Sequence, residues 1–177
     1  MKIEDNFLDQ KEFDELQALM MGHDFAWYYK PSKSIYSGYF DYEDDLDNYQ
    51  FIHIFYFNAV PHSNFFKTLK PIFEKIDPVS IWRAKANLLT RTPNIVEHEF
   101  HTDIGDLENY PEKLKQFTTS IFYINTNNGY TKFEDGTKVE SIANRFVTFP
   151  ANMKHRGTSC TDEKTRVVIN FNYFGRY

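Results

Sequence analysis

The sequence predicts a mainly β fold with N-terminal helices (α+β): a jelly roll with helices packed on one sheet. Three observations carry this. Helical periodicity is confined to the first half, short strand-like runs fill the second, and aromatic residues make up 18 % of the chain. Aromatic and β-branched side chains suit pleated, half-buried surfaces.

The elements follow in order. Asp9 with Glu12 reads as a capping box, followed by Phe13, Leu16, Leu19 and Met20 at helical spacing. A second helix follows Ser63, with Phe65, Phe66, Leu69, Phe73 and Ile76 on its apolar side; Pro71 is expected to kink it and Asp77-Pro78 to stop it. Between them, Tyr36–Tyr49 reads as a solvated acidic loop and Phe51–Phe57 as a strand. After Val79 the predicted strands are Ile81–Thr90, Val96–His101, Phe117–Asn125, Tyr130–Glu134, Thr137–Ser141, Arg145–Phe149, Lys154–Ser159 and Arg166–Phe174. Asn127-Asn128-Gly129 and Asp135-Gly136 are hairpin turn signals. A helical support over about 1–78 and a jelly-roll core over about 79–177 make one domain of the 177 residues.

Composition narrows the function classes. The net charge of −5 argues against a nucleic-acid or acidic-membrane surface. Cys160 is the single cysteine, which excludes an internal disulfide and fits a reducing, cytoplasmic setting. The N-terminal MKIEDNFLDQ lacks the apolar core of a signal peptide, and no apolar run reaches membrane-spanning length.

Chemistry concentrates in Glu97–Asp106. In an extended backbone alternate side chains share a face, so His101 and Asp103 can offer one imidazole and one carboxylate to a divalent metal. His155, at the start of a late strand, is the best third ligand. Two histidines and a carboxylate form the facial triad expected for non-haem Fe(II), with three positions left for cosubstrate and O₂. H-x-D alone is a common chance pattern, and unrelated surface residues are the bland alternative. Arg166 opens a β-rich run eleven residues after His155; its fork matches a carboxylate, with a buried salt bridge as the competing reading.

In this order the chain resembles the Fe(II)/2-oxoglutarate-dependent dioxygenases of the prolyl-4-hydroxylase-like group, over roughly Val79–Tyr173. The carrying residues are His101-Thr102-Asp103, Thr119-Ser120-Ile121-Phe122-Tyr123-Ile124-Asn125, Gly129-Tyr130-Thr131-Lys132-Phe133, Phe149-Pro150 before His155, and Arg166 after it. The resemblance implies a double-stranded β-helix with His101, Asp103 and His155 as iron ligands. It implies Arg166 and Tyr123 on the distal carboxylate of 2-oxoglutarate, and Thr131 lining that pocket. By alternation from Arg166, Asn170 and Asn172 face the same cavity. The family often has a tyrosine within the stretch Lys85–Leu89; leucine stands there, with Asn87 as a polar substitute near the cosubstrate. A double glycine common in the family is reduced to Asn128-Gly129.

The implied activity is hydroxylation of a C–H bond with release of succinate and CO₂, using O₂, with ascorbate as a candidate reductant. Asp103 argues against halogenation, which needs that ligand position vacant. A protein side chain such as peptidyl-proline, or a small molecule, is the expected substrate. The loops Tyr28–Tyr49 and Ile104–Gln116 are candidate lids, and their acidic balance favours a basic peptide. A nucleic-acid demethylase and a non-catalytic jelly-roll binding module are the alternatives.

Overall fold

Alternation of apolar residues along the strands decides the architecture, because it gives one sheet two distinct inner faces. The computed structural model describes residues 1–31, 49–107 and 109–175. Its elements are β1 (Lys2–Glu4), α1 (Gln10–Met21), β2 (Tyr28–Lys30), β3 (Gln50–Phe57), β4 (Val60–Pro61), a 3₁₀ turn (Asn64–Leu69) and α2 (Lys70–Ile76). Then come β5 (Ser80–Thr90), a 3₁₀ turn (Gly105–Leu107), α3 (Pro111–Leu114), β6 (Thr118–Tyr123), β7 (Tyr130–Phe133), β8 (Lys138–Glu140), β9 (Phe146–Pro150), β10 (His155–Gly157) and β11 (Thr165–Phe174).

The strands form an eight-stranded antiparallel sheet in the order β1-β9-β6-β11-β5-β3-β2, with β4 beside β3, and a three-stranded sheet in the order β10-β7-β8. This is the expected jelly roll with helices on one face. That face of the large sheet buries Phe55, Ala84, Ala86, Phe122, Ile124, Val167, Ile169 and Phe171 against Phe13, Leu16 and Met20 of α1 and Ile72 of α2. Between the two sheets lies a smaller cluster of Ile121, Tyr123, Phe133, Val139, Val147, Phe149 and Val168.

Several local expectations change. Asp9 makes no side-chain cap; its backbone carbonyl accepts from Phe13 N at 3.0 Å, and α1 is held by its buried apolar side. Pro71 does not kink a continuous helix. It occupies the first turn of α2, where its missing N–H costs nothing, and the residues before it form the 3₁₀ turn capped by Ser63. Asp77, with φ 42, ends α2 as expected. Val96–His101 is not a strand: it makes only two isolated antiparallel bridges, Glu97 with Thr158 and His101 with His155. Asn127-Asn128-Gly129 is no hairpin, since β6 and β7 belong to different sheets and the segment crosses between them. Asp135-Gly136 does close the β7–β8 hairpin, with Gly136 at φ 87.

The acidic run 41–47, most of the Tyr28–Tyr49 loop and the C-terminal aromatic Tyr177 lie outside the described residues. The second candidate lid is pinned at both ends: Ile104, Leu114 and Phe117 are buried together with Ala151. No helix among the described residues is long and apolar enough to cross a membrane.

Candidate metal centre

β11 builds the floor of the site. Its residues alternate, so Val167, Ile169 and Phe171 meet the helices while Arg166, Val168, Asn170 and Asn172 face the small sheet. The ligating atoms of His101, Asp103 and His155 lie within 4.8 Å of one another above this floor. Reciprocal backbone hydrogen bonds of 3.0 Å between His101 and His155 hold the two histidines side by side, with ring centroids 5.0 Å apart.

Each imidazole is oriented by its own chain. His101 Nδ1 contacts the Glu99 carbonyl at 3.1 Å, and His155 Nδ1 contacts the Met153 carbonyl at 3.2 Å. Donation from Nδ1 leaves Nε2 as the lone-pair nitrogen. His155 is 2 % exposed, and its Nε2 is buried without a hydrogen-bond partner. Burial lowers the His155 pKa to about 4 against the opposing pull of Asp103, so the ring is neutral at pH 7.

Asp103 is a buried carboxylate held by three side chains. Asn170 Nδ2 donates to both its oxygens at 3.2 Å, and Asn172 Nδ2 donates to Oδ2 at 3.3 Å. Arg83 Nη2 lies 3.1 Å from Oδ1, and Arg83 Nε donates to Asn172 Oδ1 at 3.1 Å. Burial opposes ionisation of Asp103, yet the charges around it, Arg83 foremost, hold the carboxyl well below its usual range. The triad is thus a preset donor set of two imidazoles and one carboxylate, which fits a divalent transition metal.

The second feature is Arg166, 3 % exposed. Its Nε donates to Ser141 Oγ at 2.8 Å and its Nη2 to Thr131 Oγ1 at 3.2 Å. Tyr123 donates its hydroxyl proton to the same Thr131 Oγ1 at 2.8 Å, and burial raises the phenol pKa. Among the described residues the guanidinium's hydrogen-bond partners are neutral hydroxyls, and no carboxylate pairs with it. The buried salt bridge that sequence left open is absent there. Glycines leave the surrounding space open: a Cβ on Gly157 would come 3.4 Å from Arg166 Nη1, and one on Gly129 would meet Arg166 Cδ at 2.7 Å.

The structure therefore gathers the sequence-predicted residues in two groups. His101, Asp103, His155, Asn170 and Asn172 converge at one, and Arg166, Tyr123 and Thr131 at the other. Asn87 lies between them, opposite Val168 in β11, and donates to Asn170 Oδ1 at 3.4 Å. Sequence reasoning missed Arg83, Lys85 and Ser141. The alternation that places Asn170 and Asn172 on the inner face of β11 also places Lys85 and Arg83 there on β5, counted back from Asn87. Burial, then the charge of Arg83, lowers the Lys85 pKa to about 7.

No family model and no curated protein matches the sequence. Solved structures do match the fold. The non-heme alpha-ketoglutarate-dependent epimerase SnoN from nogalamycin biosynthesis superposes with a TM-score of 0.66 at 12 % identity, covering 98 % of this chain and 77 % of that one. A prolyl hydroxylase from Trichoplax adhaerens, in complex with a hypoxia-inducible-factor peptide fragment, gives 0.63 at 14 % identity, covering 98 % and 83 %. A Pseudomonas putida prolyl-4-hydroxylase gives 0.55 at 12 % identity, covering 99 % and 92 %. The chain has the double-stranded β-helix fold of the 2-oxoglutarate–Fe(II) oxygenases.

Proposed function

We propose that the protein is an Fe(II)- and 2-oxoglutarate-dependent oxygenase that hydroxylates a C–H bond of a protein side chain or small molecule. The register of the small sheet carries this reading. Phe133 and Thr131 of β7 pair with His155 and Gly157 of β10, so the hydroxyl that meets Arg166 sits two residues from the His155 position. That is one same-face step, about 7 Å. A buried imidazole nitrogen without a partner and a buried guanidinium without a carboxylate, one step apart, suit a metal and a five-carbon dicarboxylate.

His101, Asp103 and His155 would hold the metal, and Arg166, with Tyr123 and Thr131 beside it, the distal carboxylate. When bound, iron and 2-oxoglutarate supply the activation of O₂ and the oxidising power, releasing succinate and CO₂. The chain's own work is orientation. Asn170, Asn172 and Arg83 fix both oxygens of Asp103, and the carbonyls of Glu99 and Met153 fix the two rings. Ile121, Val168 and Phe149, packed between the sheets, keep the space beside the triad dry.

A peptidyl substrate is supported by the peptide bound to the Trichoplax prolyl hydroxylase, and a small molecule by the fold shared with SnoN. The net charge of −5 weighs against a nucleic-acid strand, which needs several cationic phosphate contacts.

The test is anaerobic titration with Fe(II) and 2-oxoglutarate, following the weak visible absorption of their chelate. The band should form in the wild type and vanish in His155→Ala at equal folded concentration. Absence of the band in the wild type, or its persistence at wild-type affinity in His155→Ala, overturns the reading.

A further inference from the structure

We infer that the substrate enters as an anion, with its carboxylate taken by Lys85 on the β5 side of the metal centre. This rests on the oxygenase reading and adds the chemical class of the substrate. Arg83, Lys85 and Asn87 occupy successive inner-face positions of β5, facing Asn172, Asn170 and Val168 of β11. Lys85 is therefore level with Asn170, one of the side chains that hold Asp103.

Among the described residues, positive charge exceeds negative at this end of the site. After burial, the charge of Arg83 lowers the Lys30 and Lys85 pKa values, Lys30 lowers Lys85 further, and Asp103 is the carboxylate that offsets Lys85. Arg83 is already engaged, with Nη2 on Asp103 and Nε on Asn172. Among the described residues Lys85 makes no hydrogen bond or ion pair, and no second carboxylate serves it. A part-buried ammonium on the inner face beside the triad gains a charge-assisted contact when an anion joins it. A divalent cation on Asp103 would raise the positive surplus further.

The cosubstrate does not account for Lys85. Arg166 pairs with Leu89 across the β5–β11 ladder, and Lys85 lies four residues further along β5. The backbone positions are thus about 13 Å apart, and the Arg166 guanidinium is turned to Ser141 and Thr131, at the small sheet. Beyond Lys85 and Asn87, β3 places Ile54 and Ile52 opposite them. A point charge, an amide and two aliphatic side chains in a row suit a small carboxylic acid with an apolar body. They do not suit a basic or uncharged substrate, and the inner face reverses the expectation of a basic peptide drawn from the loops.

Acetate and acetamide are the probes, since they share a shape and differ in charge. Each is titrated anaerobically into the protein loaded with Fe(II) and 2-oxoglutarate, and its NMR relaxation by the bound iron is measured. Acetate should show saturable relaxation at least ~10-fold stronger in affinity than acetamide, in line with a charge-assisted contact. Lys85→Met should abolish that preference and Lys85→Arg should retain part of it. Lys85→Gln serves as a second neutral variant if the methionine variant does not fold. Equal relaxation by the two probes, or a preference that survives in both neutral variants, overturns the inference while the visible band still stands. If the band itself fails to form in the wild type, the oxygenase reading falls and this inference with it.

Discussion

The two faces of the large sheet are built from the same strands and solve opposite problems. On the helix side, β11 contributes Val167, Ile169 and Phe171, all fully buried among aromatic and aliphatic neighbours. On the other side the same strand contributes Arg166, Asn170 and Asn172, also buried but polar. Two buried histidines make the contrast sharper. His53, on the helix side, has both ring nitrogens engaged at 2.7 Å, with the Ala26 carbonyl and Ser63 Oγ. His155 has one nitrogen engaged and the other buried without a partner. Burial alone does not mark a functional histidine; an unanswered lone pair does.

The contrast breaks most visibly where packing is removed. Phe122 is fully buried on the helix side and meets the rings of Phe7, Phe13 and Phe146 at centroid distances of 6.0, 5.9 and 6.0 Å. Phe122→Ala should cost about 3–5 kcal/mol in denaturant unfolding, a loss that no inner-face substitution should match. A cost under about 1 kcal/mol would mean that this face does not carry the stability.

Next comes pH. Burial depresses the His155 pKa from 6.5 to about 4, so between those values the unfolded chain binds more protons than the folded one. The His155 contribution to the stability of the metal-free protein should therefore be complete above pH 6.5 and fall by on the order of 3 kcal/mol as pH drops towards 4. His155→Gln should flatten much of this loss. Burial also depresses His53, in the same direction, and that contribution should remain in the variant. An unchanged pH profile in His155→Gln would contradict the assignment.

The smallest effects sharpen the inner face. Arg166→Met should weaken 2-oxoglutarate by about 1.5–3 kcal/mol in a titration of the visible band. The melting temperature of the ligand-free protein should hold or rise, because a buried cation without a carboxylate is removed. Tyr123→Phe deletes the hydroxyl that donates to Thr131 and should cost the same ligand only about 1 kcal/mol.

Much of this was legible in the sequence because it depends on short-range spacing. H-x-D brings two donors to one place, and alternation along β11 brings Arg166, Asn170 and Asn172 to one face. What was not legible depends on partners remote in the chain. β1, three residues long, exists as a strand only because β9 pairs with it. Val96–His101 has the composition of a strand, yet its backbone reaches the small sheet only at the two bridges. Arg83 and Lys85 look like ordinary strand cations until β11 sets Asn172 and Asn170 opposite them. Asn144 seems a plain turn residue, but at φ 61 its side chain both donates to and accepts from the backbone of Leu8 at 2.8 Å.

The central place of β11 also governs the order in which the molecule assembles. Asn170 meets Asn87 across 83 positions of chain and Asp103 across 67, and Asn172 meets Thr119 across 53. Closing loops of that length is entropically uphill before any contact rewards it, and topologies dominated by such pairings fold in milliseconds to seconds. The polar lattice under the triad offers little apolar gain with which to nucleate, so it is expected to form after the aromatic side of the sheet has condensed. Damage to the chemistry should then be felt as faster unfolding, and damage to Phe122 and its neighbours as slower folding, in stopped-flow refolding and unfolding rates.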